Sequence, residues 1–579
     1  MELMELNGPD KYEILAELAR RRGFFWPSFE IYGGIGGFID LGPLGASLKR
    51  RLEEKWRDFF VRRQGLLEIA TPIIMPAKVF EASGHVQHFK DSMVECTKCK
   101  RKYRADHIVQ DATGMETEGF DLNQLDVLIR EKNIHCVECG GELTSPQYFG
   151  TMFTTTIGPY SEAVGYARPE AAQGMFIDFR RVYEIAREKM PLGIAQIGQA
   201  LRNEISPRQG PVRLREFTIM EFEFFFDPEN PKCDRLGEVE NEKLRIVPLE
   251  FREKGVEEPI EVTVAEALKK GYIKQPWSAY FMALSKQFVS ELGIPPEKQR
   301  FHEKMQTERA HYSAQTYDHQ VQLDRWGWVE LAGNAYRTDF DLRGHMQTSK
   351  VDLTVFKAYD SPIKRKMKVV VPVSSAIGPE FKEHAGEVAK KILEMDASLI
   401  EESFSKHGFL MLNGFKVSPN HVRIEEREAN ESGKRFIPHV IEPSFGAERL
   451  VYAVLEYAYS IVKDRVVMKI PRALVPIQAI VLPLVNKDGL DEKARDLYRN
   501  LLQAKFDVEY DESGSIGRRY ARADEVGIPV AITVDYQTMQ DKTATLRDRD
   551  SWEQKRFQIS EIIDVLHRYL STESSFEDL

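Results

Sequence analysis

Cysteine is scarce: five residues in a chain of 579, too few for a disulfide scaffold of this size. No apolar run approaches the roughly 18 residues that a membrane span requires. The opening residues 1–13 are acidic and lack the basic and apolar regions of a secretory signal, so a cytoplasmic protein without membrane contact is expected. An excess of positive charge is missing too. The net charge of −10 argues against a general polyanion binder, yet it leaves room for local Lys/Arg clusters that meet phosphate. A GxGxxG fingerprint is absent. Gly33, Gly34, Gly36 and Gly37 form a glycine-rich stretch, but no helix opens on the last of them, so a turn suits it better than a phosphate loop. What is present is a globular composition, 42% hydrophobic and 29% charged, with room for about three or four domains.

The stretch that organises the rest is Gly193–Phe226, two predicted antiparallel strands joined by a long basic loop. Residues two apart share a face of a strand. Phe217, Ile219, Glu221 and Glu223 therefore fall on one side, and Thr218, Met220, Phe222, Phe224 and Phe226 on a core side. On the first arm Arg202 and Glu204 share a face, and the loop adds Arg208, Arg213 and Arg215. Alternation by itself favours an amphipathic hairpin with a solvated charged face. A planar cationic fork, an aromatic plate and fixed carboxylates on one hairpin are equally the parts of a nucleotide site.

Around this hairpin the pattern predicts a helix capped by Asp10 and stopped by Gly23. A longer helix runs from Pro43 to about Arg63, its apolar stripe made by Leu44, Leu48, Leu52, Trp56 and Phe60. A strand ending at Pro72 follows it. Two CxxC pairs, Cys96/Cys99 and Cys136/Cys139, flank a 36-residue span and suit tetrahedral Zn²⁺ in a closed, structural site; Cys233 stands apart. Residues 228–322 read as charged and mostly helical, with helices at Val262–Leu268, Trp277–Leu292 and Pro296–Glu308. Residues 344–435 offer no motif, only a helix at Pro379–Met395. From about Arg472, strands and helices alternate through a last helix at Trp552–Tyr569, which implies a separate α/β domain.

Leu201-Arg202-Asn203-Glu204, a loop, and Arg213-Leu214-Arg215-Glu216-Phe217 fit the motif 2 signature of class II aminoacyl-tRNA synthetases, with Leu at its first position. The longer string closely resembles the α2 type of glycyl-tRNA synthetase, in its archaeal and eukaryotic form. The Pro43 helix with Gly65 and Pro72 resembles motif 1, which builds the dimer interface of that class; packing on its own core is the other reading. His439–Arg449 resembles motif 3, with Glu448 where eukaryotic glycyl enzymes often have Gly. Arg168–Gly174 resembles the family's RPExxQG. The strings around His85 and His107 also match, and either histidine reads as a base or as a structural residue. Gly514–Pro529 and Ile532–Asp535 resemble the anticodon-binding domain shared by glycyl, histidyl, threonyl and prolyl synthetases. In that domain Arg518, Arg519, Arg522 and Lys555 read as phosphate contacts or as a solvated basic face.

The resemblance implies an α+β fold: a class II antiparallel sheet flanked by helices, with insertions and a C-terminal α/β anticodon-binding domain. Catalytic core is expected at 1–92, 151–227, 323–343 and 436–471, a zinc-binding insertion at 93–150, further insertions at 228–322 and 344–435, and the anticodon domain at 472–579. The first of those further insertions, with Ala310-His311-Tyr312, is expected to meet the tRNA acceptor end. The implied activity joins glycine to ATP as glycyl-adenylate and transfers it to the 3′ end of tRNA(Gly), in a homodimer using Mg²⁺ and structural Zn²⁺. Carried over residue by residue, Arg202 and Arg449 are the catalytic cations. ATP is expected to meet Arg202, Glu204, Arg213, Phe217, Glu442 and Arg449. Glycine is expected to meet Glu170, Glu221, Arg337 and Ser444. Mg²⁺ falls to Glu442 with Glu330, and Zn²⁺ to Cys96, Cys99, Cys136 and Cys139. A synthetase for threonine or proline, and a non-enzymatic binding protein on the same fold, are the competing readings; the latter lose the motif 2 and 3 arginines, which are present here.

Overall fold

The computed structural model describes residues 10–571 and 575–579, except 116, 118, 160, 161, 208 and 209; Arg208 of the basic loop thus lies outside the described residues. Two compact units are present, one comprising residues 354–436 and the other residues up to 353 together with 437–579.

The larger unit is built on a nine-stranded sheet. Its strands are β1 (Leu67–Glu68), β2 (Leu192–Leu201), β3 (Glu216–Phe226), β4 (Lys243–Val247), β5 (Ile260–Thr263), β6 (Gln299–Glu303), β7 (Gln315–Leu323), β8 (Gly327–Thr338) and β9 (His439–Gly446). The spatial order is β5-β4-β6-β7-β8-β9-β3-β2-β1. Pairing is antiparallel except at β1–β2 and β4–β6. The expected hairpin is β2–β3, with Gln196 opposite Glu221 and Leu201 opposite Glu216. Its core face is Thr218, Met220, Phe222, Phe224 and Phe226, all buried. The other face is not solvated, because Glu221 and Glu223 are both 0% exposed.

Behind the sheet lies the helix Pro43–Trp56, continued by a π-helical stretch Arg57–Arg62. Leu48, Leu52, Trp56 and Phe60 are fully buried, and the Trp56 and Phe60 rings meet Phe222 and Phe445 of β3 and β9. The stripe therefore packs on its own core. The N-terminal helix Lys11–Arg22 has Asp10 accepting from the Glu13 N–H and ends on left-handed Gly23, as its caps foretell.

Several sequence expectations are corrected. The first hairpin arm ends at Leu201, so Arg202 and Glu204 stand in the irregular segment beyond it; the backbone of Glu204 turns to donate to the Arg202 carbonyl at 2.7 Å. The strand expected to reach Pro72 is only β1. Residues 228–322 are not set apart from the core, since they supply β4 to β7 and the buried helix Pro276–Glu291. The expected helix Pro296–Glu308 is a short 3-10 turn followed by β6. All five β6 residues are buried between β4 and β7, and pairing on both edges overrides their helical propensity.

The C-terminal part of this unit carries β10 (Ala479–Pro483), β11 (Val508–Tyr510), β12 (Val530–Val534), β13 (Thr543–Asp548) and β14 (Gln554–Gln558) in the order β11-β10-β12-β13-β14. β14 occupies the start of the expected final helix, which begins only at Ile562. Arg519 is buried and donates to the carbonyls of Asp511 and Leu484, and to that of Pro483; it is a structural brace, not a phosphate contact. Arg522 pairs with Asp511, and Lys555 donates to the Glu577 carbonyl, whereas Arg518 is exposed. Leu44 packs against Ile480, Leu482 and their neighbours, and Ser47 donates to the Pro476 carbonyl. Glu525 pairs with Arg21 and Arg22.

The smaller unit is a long antiparallel pair, Val355–Pro372 with Val422–Phe436, carrying its own core around Ile377, Val388, Ile392 and Ile400. The single helix expected at Pro379–Met395 is two, Ser374–Phe381 and Ala385–Leu393, because Lys382 adopts a left-handed φ of 45° between them.

Candidate active site

A cleft of about 560 Å³ opens over β3, β9, β8 and β7. Arg202, Glu204, Arg213, Glu170, Glu221, Glu330, Glu442 and Ser444 all line it. A smaller recess of about 80 Å³ adjoins it, lined by Phe217, Arg449 and again Arg202, Glu204 and Arg213. A larger depression of about 820 Å³ elsewhere is lined by Lys49 and Glu448, which are paired with each other at 2.9 Å. Glu448 also accepts from the Thr218 N–H at 2.7 Å, so it joins the Pro43 helix, β3 and the helix after β9.

At one end of the cleft the groups suit a nucleotide. The Arg202 guanidinium lies 5.4 Å from the Phe217 ring centroid and 5.5 Å from that of Phe89, and its Nε donates to the Pro169 carbonyl at 3.1 Å. Arg449 is fixed by Nε to the Val212 carbonyl at 2.7 Å and Nη1 to the Glu330 carbonyl at 2.8 Å. Arg213 pairs with Glu204 at 3.2 Å and donates to Nδ1 of His107 at 3.4 Å. Burial and the neighbouring Arg104 push His107 down to about 4, so it is a neutral acceptor that orients Arg213 and not a base.

At the other end is a buried acid array around one cation. Arg337, 0% exposed, donates to Asp341 at 2.8 and 2.9 Å, to Glu442 at 2.9 Å and to Glu170 at 3.3 Å. The Tyr312 ring covers it at 3.6 Å. Burial disfavours the Arg337 cation, but Asp341, Glu442 and Glu170 outweigh this and hold it charged. Burial would raise Glu170, yet Arg337 and His85 hold its carboxyl well below the usual range. Glu170 also accepts from Gln173 at 3.0 Å, and Gln173 in turn bridges Asp341 and His345. His85 lies 3.3 Å from Glu170 and 2.8 Å from Ser83 Oγ, which makes it a wall of this array.

Local sequence explains the array's placement. Arg168 is buried and ties Pro169-Glu170 to the sheet through the Gln199 and Thr71 carbonyls. A Cβ on Gly174 would lie 2.1 Å from Thr71 Oγ1, so glycine is required at the end of that motif. One oxygen of Glu221 accepts from the Ala171 N–H at 2.6 Å, and the other makes no well-formed hydrogen bond, with the Ser444 hydroxyl as the nearby side-chain donor that favours the ionised carboxylate. Ser444 sits directly opposite Glu221 across β3–β9.

The sequence expectations for this region divide. Glu170, Glu221, Arg337 and Ser444 come together. Glu442 joins them instead of Glu330: it is buried and its charge is answered by Arg337, while Glu330, two-fifths exposed, pairs with Arg449 at 3.3 Å. A hydrated Mg²⁺ keeps several waters, so Glu330 on the open wall fits it and Glu442 does not. Tyr312, Gln173, Asp341 and His345 escaped the sequence reading as members of the array; Tyr312 lay in a segment singled out there for tRNA and Gln173 in the Arg168–Gly174 string, neither with this role. Their one signal is polarity at positions that fold into the core.

Away from the cleft, the Sγ atoms of Cys96, Cys99, Cys136 and Cys139 all lie within 4.8 Å of one another. Cys96–Cys139 and Cys99–Cys136 are 3.5 and 3.6 Å apart. Zn–S bonds of about 2.3 Å in a tetrahedron place sulfurs about 3.8 Å apart, so the four fit. A Cβ on Gly141 would come within 2.9 Å of Cys96 Sγ, a further sign of a cradle built around the thiolates. No helix among the described residues is long and apolar enough to cross a membrane.

Residues 478–569 match the Anticodon binding domain family. The whole chain is similar to a glycine–tRNA ligase of Aeropyrum pernix, 50% identical over 98% of each chain. It is 47% identical to that of Thermococcus gammatolerans, over 97% of this chain and 99% of the relative. With that of Methanothermobacter thermautotrophicus the identity is 43%, over 96% and 99%. Among solved structures, the RNA-binding domain of threonyl-tRNA synthetase from Cryptosporidium parvum superposes with a TM-score of 0.50 at 16% identity, covering 96% of this chain and 97% of that one. Prolyl-tRNA synthetase from the same organism gives 0.50 at 11%, covering 96% and 74%. These two speak for the fold alone.

Proposed function

This chain belongs to the glycine–tRNA ligase family, and on that premise we propose how its cleft works. The activity is the charging of tRNA with glycine, with ATP as the activating substrate. The observation that carries the residue roles is the continuity of one cleft from Phe217 and Arg449 to Glu221 and Ser444.

The adenine ring stacks on Phe217, with Arg449 over its other face or the γ-phosphate. Glu204 accepts from the adenine amino group and Arg213 meets the γ-phosphate. Because Glu204 and Arg213 are only 3.2 Å apart, the triphosphate must fold back toward the base. Glycine's ammonium is taken by Glu170, Glu221 and Ser444, below which Arg337 and Glu442 fix the acids. Arg202, between the two ends, holds the α-phosphate and the glycine carboxylate. The carboxylate oxygen attacks that phosphorus in line and pyrophosphate leaves, so the residues act by alignment and charge neutralisation and no side-chain nucleophile is needed. The 3′-terminal ribose hydroxyl of tRNA then attacks the glycyl carbonyl and releases AMP.

Glu330 would hold Mg²⁺, which supplies charge neutralisation on the phosphates. The four cysteines would hold a structural Zn²⁺. The 478–569 domain takes the anticodon side of tRNA. A homodimer is part of this reading, supported by the exposed apolar side chains Ile31, Tyr32 and Ile35 near the Pro43 helix; so is a cytoplasmic location. ATP–pyrophosphate exchange with each amino acid in turn tests the whole: exchange with glycine is expected, and exchange with threonine or proline instead overturns it.

A further inference from the structure

Glu223 and Asp341 are the acids of the array that do not line the cleft, and Asp341 is held by Arg337 and Gln173 whereas Glu223 is not. It is 0% exposed, and neither of its carboxyl oxygens has a hydrogen-bond donor. It does not line the cleft, whereas Glu170, Glu221 and Glu442 do. The register of β3 with β9, Glu221 opposite Ser444 and Phe224 opposite Ile441, puts Glu223 directly opposite Glu442. Residues so paired have Cβ atoms about 4.5–5.5 Å apart, and like charges there repel.

The remaining neighbours make the problem sharper. The charged groups facing Glu223 are Glu442, Arg337, Glu221 and Asp341. From β2, its cross-strand partner is Ile194, which offers no donor. Glu170, Glu221, Glu223, Asp341 and Glu442 are five carboxyls around the Arg337 guanidinium, with Arg168 near Glu221 and His85 beside Glu170 as the other positive or protonatable neighbours. Two carboxylates that share a buried site do not both ionise. Burial, with Glu170 and Glu221 nearby, raises Glu442 to about 8 against the pull of Arg337, but Arg337 donates to Glu442 at 2.9 Å and no group donates to Glu223, so within the cross-strand pair Glu442 is the one that carries the anion.

We propose that Glu223 is a positioning residue of the glycine pocket: it remains an uncharged acid whose O–H is given to Glu442, locking that carboxylate against Arg337 so that Glu170 and Glu221 stay aimed at the ammonium. The proposal rests on the reading of this end of the cleft as the glycine pocket. Burial and then the charge of Glu442 raise the Glu223 carboxyl well above its ordinary range, in keeping with the geometry. The acid supplies a neutral donor, as a Gln of the same reach would, at a place where an anion would repel its neighbours.

Two variants and one spectrum test this in the full-length protein. Glu223→Leu removes the donor and should lower kcat/KM for glycine in ATP–pyrophosphate exchange about 10- to 100-fold, the range for leaving a buried partner unsatisfied, with the ATP KM held. Glu223→Gln, which keeps a neutral donor, should recover most of that loss. The infrared difference between the parent and Glu223→Gln at pH 8.5, above the range in which Glu221 titrates, should show a protonated-carboxyl band that belongs to the parent alone. The idea is overturned if Glu223→Gln is as damaging as Glu223→Leu, because the charge is then in use. It is equally overturned if the band is missing from the parent, or if Glu223→Leu is inert. Failure of the glycine-pocket reading has another signature: unchanged glycine kinetics in Glu221→Gln while the Glu223 band persists.

Discussion

Glu221 is where the proposed selection of glycine can be measured most directly. One of its oxygens is already engaged by the Ala171 N–H at 2.6 Å, which leaves the other for the substrate ammonium. Glu221→Gln keeps the Ala171 contact and removes only the charge. A charge-assisted hydrogen bond contributes about 1.5–3 kcal/mol and is roughly twice as strong as a neutral one, so the expected loss is about 1–2 kcal/mol, or about 5- to 30-fold in kcat/KM for glycine. Glu221→Ala also strands the buried Ala171 N–H. The combined cost is about 3–4 kcal/mol, roughly 10² to 10³ in rate. The ATP KM should move less than about threefold, since Phe217 and Arg449 lie in the adjoining recess. There is also a pH signature. Burial and the charge of Glu170 push Glu221 up to about 7, and the ammonium binds the ionised form. Glycine kcat/KM should therefore rise as pH climbs through about 7 and level off above it, and Glu221→Gln should lose that rise. Exchange kinetics between pH 6 and 8.5 decide it, and unchanged glycine KM and turnover in both variants would remove Glu221 from the pocket.

Arg202→Ala should abolish adenylate formation, because the phosphate loses its planar fork at a cost of about 3 kcal/mol or more; exchange within a few-fold of the parent would refute the role. Ending the chain after Pro476, instead of at the change of sequence pattern near Arg472, keeps Leu474 and Val475 in the main core and should spare exchange while crippling tRNA charging. Normal charging by such a folded fragment would refute the anticodon role. Metal analysis should find about one zinc per chain, with Cys96→Ser releasing it and lowering the thermal stability of residues 93–150; four freely reactive thiols in a fully stable parent would exclude the site.

Much of the frame was legible because local signals and tertiary context agree. Alternation through Glu216–Phe226 gave β3 its correct core face, and Asp10 and Gly23 bracketed the first helix. Where context overrules propensity, the reading slipped: Gln299–Glu303 looks helical by composition but is clamped between two strands, and Gln554–Gln558 pairs as an edge strand with Thr543–Arg547 across a short turn where a helix start was expected. The site was legible by type and less so by partnership. Glu170, Glu221 and Glu442 each belong to a recognisable motif, yet Arg337, Asp341, Glu442 and Glu170 meet only through the register of β8 and β9 and the loop before residue 172. That is why Glu442 was read beside Glu330 at a cation site and is found beneath Arg337.

On the proposed reading of the cleft, the acid array offers a way to choose glycine without a side chain to grip. An apolar pocket gains or loses about 1–3 kcal/mol per methyl group, too little to reject alanine. Here the walls are fixed by hydrogen bonds to one another: Gln173 to Glu170 and Asp341, Ala171 to Glu221, Arg337 to three carboxyls. A methyl on the substrate must displace part of that network and leave a buried polar group unpaired, which costs more than the methyl's own transfer energy. The same network is destabilising to the fold, because buried acids outnumber their cation and repel. A sheet face that violates ordinary core composition to this degree is the place where function, not stability, has set the residues, and the substrate ammonium is the charge that completes it.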